Sequence, residues 1–134
     1  MNSETTRIVT ECAALSAAGK IHFGEVVGRL QQAGVERYHA DYSRSENTFY
    51  MPDGESCVVP MPHASVSIAK DFSAPSVQAA IHRAQRGEIM YPEFTREVLA
   101  AGCVGYFVQI AGRCVQYFGR NGEMHVERFP APAK

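Results

Sequence analysis

The side chains best equipped for chemistry stand in two short alternating runs. In the first, Arg37-Tyr38-His39-Ala40-Asp41-Tyr42, an extended backbone sends successive side chains to opposite faces, so Arg37, His39 and Asp41 share one face and Tyr38, Ala40 and Tyr42 the other. In the second, Glu123-Met124-His125-Val126-Glu127, the apolar Met124 and Val126 are expected to face a core, leaving Glu123, His125 and Glu127 as a polar row on the outside. If both runs belong to one sheet, the two polar rows meet. A carboxylate beside an imidazole orients it and raises its basicity, and a guanidinium holds an anion, so such a meeting could do acid/base chemistry. On that reading His39, Asp41, His125 and Glu127 are the candidate catalytic residues, and Arg37, His39, Asp41, Glu123 and His125 the candidate ligand-binding set. The plainer account is the solvated outer face of an antiparallel sheet, where charged cross-strand pairs are routine.

Other chemistries find less support. His39, Asp41, Cys57, His63 and His125 are competent metal ligands, but only His39 and Asp41 stand at a regular spacing and no third or fourth ligand follows it, so no metal site is assigned. No serine sits in a Gly-x-Ser-x-Gly turn, and Cys114 beside Arg113 falls on the opposite face by alternation. The glycines from Gly102 to Gly122 form neither a G-x-G-x-x-G turn nor a Walker loop, so no nucleotide cofactor is expected. Six tyrosines and seven phenylalanines invite a base-stacking reading, but without a basic surface they are better explained as core. Tyr38, Tyr50, Tyr106 and Phe118 are the expected core set.

The elements that would position these residues come in two similar series. Apolar residues at Ile8, Val9, Cys12 and Leu15 recur at helical spacing after Ser3, a candidate N-cap, and stop at Gly19. A second helix covers Phe23 to Ala33, with Phe23, Val26, Val27 and Leu30 in one stripe and Gly34 as a left-handed stop. The period then changes to two over Val35 to Tyr42, Thr48 to Met51 and Ser56 to Val59, with a turn at Asp53-Gly54. Helices starting near Pro75 and Pro92 end before Gly87 and Gly102, and strands over Cys103 to Ile110, Arg113 to Phe118 and Glu123 to Phe129 follow, with turns at Ala111-Gly112 and Asn121-Gly122.

Sliding the sequence along itself by 68 residues aligns the two series without a gap. Gly19 and Ile21 fall on Gly87 and Ile89, Ala33-Gly34 on Ala101-Gly102, Tyr38 on Tyr106 and Gly54-Glu55 on Gly122-Glu123. Matches concentrated at glycines and aromatics mark positions where backbone geometry or packing limits the choice. The expectation is a duplicated helix-helix-three-strand unit, with repeats over about residues 3–60 and 71–130. Pro60 and Pro62 end the first ladder, and Ser65 to Lys70 form a short extended link. A tail over 130–134 is expected to fray. Either half alone would leave a bare sheet face, so residues 1–134 are expected to form one α+β domain, an antiparallel sheet with helices on one face.

The 134 residues, 14.7 kDa and 46% hydrophobic content suffice for a core without disulfide or metal staples. Thirteen basic against 14 acidic side chains, net charge -1, supply no broad attraction for phosphate backbones or anionic headgroups, which argues against nucleic acid and membrane as partners. No window approaches the roughly 18 apolar residues of a membrane span, and the N-terminus lacks a secretory pattern. With four cysteines in no C-x-x-C pair, reduced thiols and a cytoplasmic location are expected.

Three segments, Tyr91-Pro92-Glu93-Phe94, Ala101-Gly102-Cys103-Val104-Gly105-Tyr106 and the run from Gly119 to Pro130, resemble the YdfO-like bacterial family often labelled phage envelope protein. Phe23 to Val27, Gly34 to Tyr42 and Thr48 to Glu55 extend the resemblance over most of the chain, with Gly24 where the family's proline is expected. The resemblance implies a small α+β protein of unknown function and carries over no catalytic residue. The leading functional reading is therefore a binding or interaction module, using the polar sheet face or the cleft between repeats for a small ligand or protein partner, with a second copy of the chain among the candidates. The alternative is a small enzyme using histidine acid/base chemistry beside an arginine anion holder.

Overall fold

A computed structural model describes residues 1–63 and 67–129. The expected tail over 130–134 and the first two residues of the Ser65–Lys70 link lie outside the described residues. Helices α1 (Ser3–Ala17) and α2 (Phe23–Gln32) precede strands β1 (Arg37–Asp41), β2 (Glu46–Tyr50) and β3 (Ser56–Pro60). The same series follows as α3 (Ala74–Gln85), α4 (Tyr91–Ala100), β4 (Cys103–Gln109), β5 (Cys114–Gly119) and β6 (Met124–Arg128). The fold is α+β, as expected from the change of period.

Helix starts follow capping chemistry. Asn2, not Ser3, caps α1: its side chain accepts from Thr5 N at 2.8 Å, so Ser3 is already helical. Ser73 accepts from Ser76 N before α3, with Pro75 in the first turn. Glu93 closes back on Met90 N at 3.0 Å ahead of α4. Each helix then commits one stripe to the interior: Val9, Cys12 and Ala13; Val26 and Leu30; Val77, Ala80 and Ile81; Phe94, Val98 and Leu99.

Two antiparallel meanders join into one six-stranded sheet of order β3-β2-β1-β4-β5-β6. The join is antiparallel through β1 and β4, where Tyr38 stands opposite Val108, His39 opposite Phe107 and Ala40 opposite Tyr106. The helices cover one face, burying Tyr38, Ala40, Phe49, Val59, Tyr106, Val108, Val115 and Tyr117 beneath them. Pro60 closes β3 as its last residue instead of lying beyond it, which an edge strand tolerates because one side of its ladder is free.

Eight of the described residues have positive φ, and they fall into four pairs separated by 68 residues: Gly19 with Gly87, Gly34 with Gly102, Ser45 with Arg113 and Gly54 with Gly122. In the β4–β5 hairpin the left-handed residue is thus Arg113 and not Gly112, one position later than the Ala111-Gly112 signal suggested.

Register corrects two expectations. Tyr50 stands opposite Arg37, and Phe118 opposite Gly105, which places both on the uncovered face; their neighbours Phe49 and Tyr117 fill the core instead. The last strand is inverted with respect to the expected one. Phe118 pairs with Met124 and Tyr117 with His125, so Met124 and Val126 lie on the uncovered face, 52% and 39% exposed, while His125 and Glu127 turn toward the helices. The turn at Gly119–Glu123 sets this phase: Gly119 N donates to Glu123 O at 2.8 Å and Asn121 N to the Glu123 carboxylate at 3.0 Å. An edge strand gains little by burying its apolar side chains, so hairpin geometry overrides hydrophobic alternation there.

Candidate functional site

The inversion of β6 separates the two expected polar rows. Arg37, His39 and Asp41 stand on the uncovered face of β1, whereas His125 and Glu127 stand on the helix side of β6, three strands away. Glu123 belongs to the hairpin turn, where its carboxylate is engaged by Asn121 N. The acid/base constellation of both rows therefore does not assemble. The metal-ligand candidates divide the same way, and among the described residues no group of three or more His, Cys, Asp or Glu is placed to hold an ion. His63 lies apart, with Nε2 at 3.1 Å from Tyr42 O.

On the uncovered face the first row is occupied by its own neighbours. The Arg37 guanidinium lies 4.4 Å from the Tyr50 ring centre and pairs with Glu36. His39 stacks on Phe107, with ring centres 4.5 Å apart and planes 13° from parallel, and Phe107 meets Phe118 edge-on. The Asp41 carboxylate accepts from Ser43 N at 3.0 Å and Arg44 N at 3.2 Å, closing the β1–β2 turn. Val58, Met124 and Val126 leave apolar surface open around this cluster.

The concave site lies on the other face. Between the helices and the sheet is a cavity of about 520 Å³, within the range of small-molecule sites. Both halves build its wall: Phe23, Tyr38 and Phe49 from the first, Tyr91, Tyr106 and Tyr117 from the second. Its rim runs through the exposed His22, Phe23, Gln85 and Arg86.

Burial dominates the chemistry of this wall. It pushes the hydroxyls of Tyr38, Tyr106 and Tyr117 well above the ordinary tyrosine range, and raises Tyr91 with smaller opposing effects from the Thr95 and Tyr106 hydroxyls. These phenols are held neutral as hydrogen-bonding groups. Close by, Tyr42 Oη and Thr95 Oγ1 are both buried polar atoms without a geometrically complete hydrogen bond among the described residues. Glu127 also lines the cavity, and its charge contributes to the rise at Tyr117. Its Oε1 lies 3.3 Å from His125 Nε2, and the two side chains are 22% and 18% exposed.

Sequence reasoning found His125 and Glu127 but assigned them to the wrong face, and it treated the tyrosines as packing alone. Polar-tipped aromatics repeated at core-facing positions were the available signal: a core needing only volume can use phenylalanine, whereas a buried phenol asks for a partner.

A helix layer over a six-stranded antiparallel sheet, with a tyrosine-lined cavity between them, defines a small α+β domain. The model of the family described as protein of unknown function (DUF1398) matches residues 19–128, and the chain belongs to that family. No curated protein matches the chain.

Proposed function

We propose that the protein is a binding module whose ligand site is the helix–sheet cavity, the cleft between its two halves. The carrying observation is that cavity: about 520 Å³, walled by aromatic side chains of both halves and furnished with buried phenolic hydroxyls. Such a site suits a compact, mostly apolar molecule with one or two polar groups. The four 68-residue pairs of left-handed residues, and the pairing of His39 with its 68-residue counterpart Phe107 at the β1–β4 join, support the duplication, with one domain over 1–134. Among the described residues no helix is long and apolar enough to cross a membrane; a cytoplasmic location and the narrower YdfO-like kinship belong to the same proposal.

The test is titration calorimetry with small aromatic probes, repeated with Ala84→Phe and Ser16→Phe, which place bulk in the cavity wall. Binding lost in both variants while their melting temperatures hold is the expected result. Equal binding by wild type and both variants would remove the cavity from consideration.

A second reading concerns the uncovered face, whose partner we propose to be a second copy of the chain. Along the strands this face carries Arg37 and Arg128 in one row, a central row with Val58, His39, Phe107 and Val126, and Asp41 and Glu46 in the third. A two-fold axis along the central row would bring Arg37 over the partner's Asp41 and lay apolar surface on apolar surface. Six strands of five residues offer about 29 by 17 Å, roughly 500 Å² per copy, the small end for a specific interface. The expected assembly is therefore weak. Sedimentation should show concentration-dependent dimers that Val126→Lys abolishes; a strict monomer at high concentration would end this reading.

A further inference from the structure

We propose that the cavity selects organic cations, molecules with an apolar or aromatic body and an amine or quaternary ammonium group, and that Glu127 receives the charge. This inference rests on the cavity being the ligand site.

Three observations carry it. First, Glu127 is the one acidic residue in the described lining, and it occupies a helix-facing position of β6. Under the 68-residue correspondence the first half has Val59 there, 8% exposed and part of the core. At 22% exposure Glu127 does not supply the core packing that Val59 supplies in the first half, so its place in the lining suits a ligand-directed role. Second, the wall around it is rich in ring faces. Phe94 and Tyr117 lie 6.3 Å apart between ring centres and Tyr106 and Tyr117 5.2 Å, and the negative faces of such rings attract a cation. The charge of Glu127 reaches into this cluster, since it contributes to holding the Tyr117 hydroxyl in its neutral form.

Third, the basic residues of the described lining, His22, Arg86 and Arg128, stand at exposed positions. The Arg86 guanidinium is paired with Glu88 at the surface. Arg128 stands opposite Cys114, on strand positions that direct side chains to the uncovered face. His125 Nε2 lies 3.3 Å from one carboxylate oxygen of Glu127, within reach to hold the group in place. An anionic ligand would meet the Glu127 carboxylate while the arginines of the lining stand at exposed positions, and a neutral one would leave the carboxylate unused.

Three probes of nearly equal shape separate the outcomes: naphthylmethyl-trimethylammonium, methoxynaphthalene and naphthoate, titrated into the full chain by calorimetry. The ammonium is expected to bind about 10-fold or more tightly than the neutral ether, with naphthoate weakest. Glu127→Gln keeps the shape and should bring the ammonium to within about 2-fold of the ether while leaving the ether unchanged. If the ether or naphthoate binds the wild type as well as the ammonium does, cation selection is overturned and the cavity reading stands. A preference that survives Glu127→Gln also overturns it, because the charge is then recognised elsewhere. Binding of none of the three sinks the cavity reading with it. The wild-type comparison decides the selection even if the variant folds poorly.

Discussion

Alkaline unfolding gives the most direct test of whether the tyrosine wall is sealed from water. Five of the chain's six tyrosines, Tyr38, Tyr42, Tyr91, Tyr106 and Tyr117, have hydroxyls raised above the ordinary value of 10 chiefly by burial. The folded state keeps these protons after the unfolded chain has begun to lose them. Stability is therefore complete below pH 10 and falls as pH climbs past it. At pH 11 an unfolded tyrosine has gained about 1.4 kcal/mol by ionising, so Tyr38, Tyr42, Tyr106 and Tyr117, raised well above that pH, together approach about 6 kcal/mol. That is comparable with the whole stability of a domain this size, about 5–15 kcal/mol. Phenolate absorbance should stay low for these residues above pH 10 and then rise in one step, together with loss of the helical circular dichroism, near pH 11. A gradual rise centred on pH 10 with the dichroism intact would mean that the hydroxyls face water, and would refute both the sealed wall and the burial argument.

Three further outcomes follow from local geometry. Gly34→Ala and Gly102→Ala have nearly the same φ, +86° and +83°, but the added methyl meets only Met51 Cε at 3.5 Å in the first and Asp71 O at 2.2 Å in the second; urea unfolding should show a loss of about 1 kcal/mol for Gly34→Ala from the left-handed backbone and about 1–3 kcal/mol more for Gly102→Ala. Equal losses would mean that the link through Asp71 and Phe72 does not cross there. Asn2→Ala should cost about 1 kcal/mol and Ser3→Ala much less, read from thermal melts, because the Asn2 side chain holds Thr5 N. Under native conditions iodoacetamide should modify the half-buried Cys57 and Cys114 first, as mass spectrometry would show, while Cys103, buried and pushed up to about 11 from 9.0, carries about 100-fold less thiolate near pH 8; equal labelling of all four would contradict the packing.

What the sequence disclosed and what it withheld divide along physical lines. Helix stripes such as Val26 with Leu30 and Val98 with Leu99, and stops such as Gly34 and Gly102, are local facts, and local patterning located every helix and strand. Which face a strand presents is different, because it depends on register. In β1 the buried Tyr38 and Ala40, with Tyr42 just after it, outvote the alternatives, so that face was legible. In β6 one face carries Met124, Val126 and Arg128 and the other only His125 and Glu127. The apolar pair looked like the inward one, and the turn around Glu123 decided otherwise.

That reversal is what changes the functional picture. With β6 in the expected phase, Glu127 would be one more solvated carboxylate on an open sheet. In the observed phase it stands beside Tyr117 and Val115 under the helices, while Val126 joins Phe107 and His39 outside. One residue of register thus exchanges an apolar lining for a charged one in the cavity and a charged surface for an apolar one on the open face. The two halves share backbone turns at 68-residue intervals, but their helix-facing edge positions differ by Val59 against Glu127. A fold that needed only two like halves would repeat the valine. On the proposed reading this departure puts the carboxylate of the cavity in the second half, at the strand whose phase follows its turn and not its hydrophobic alternation.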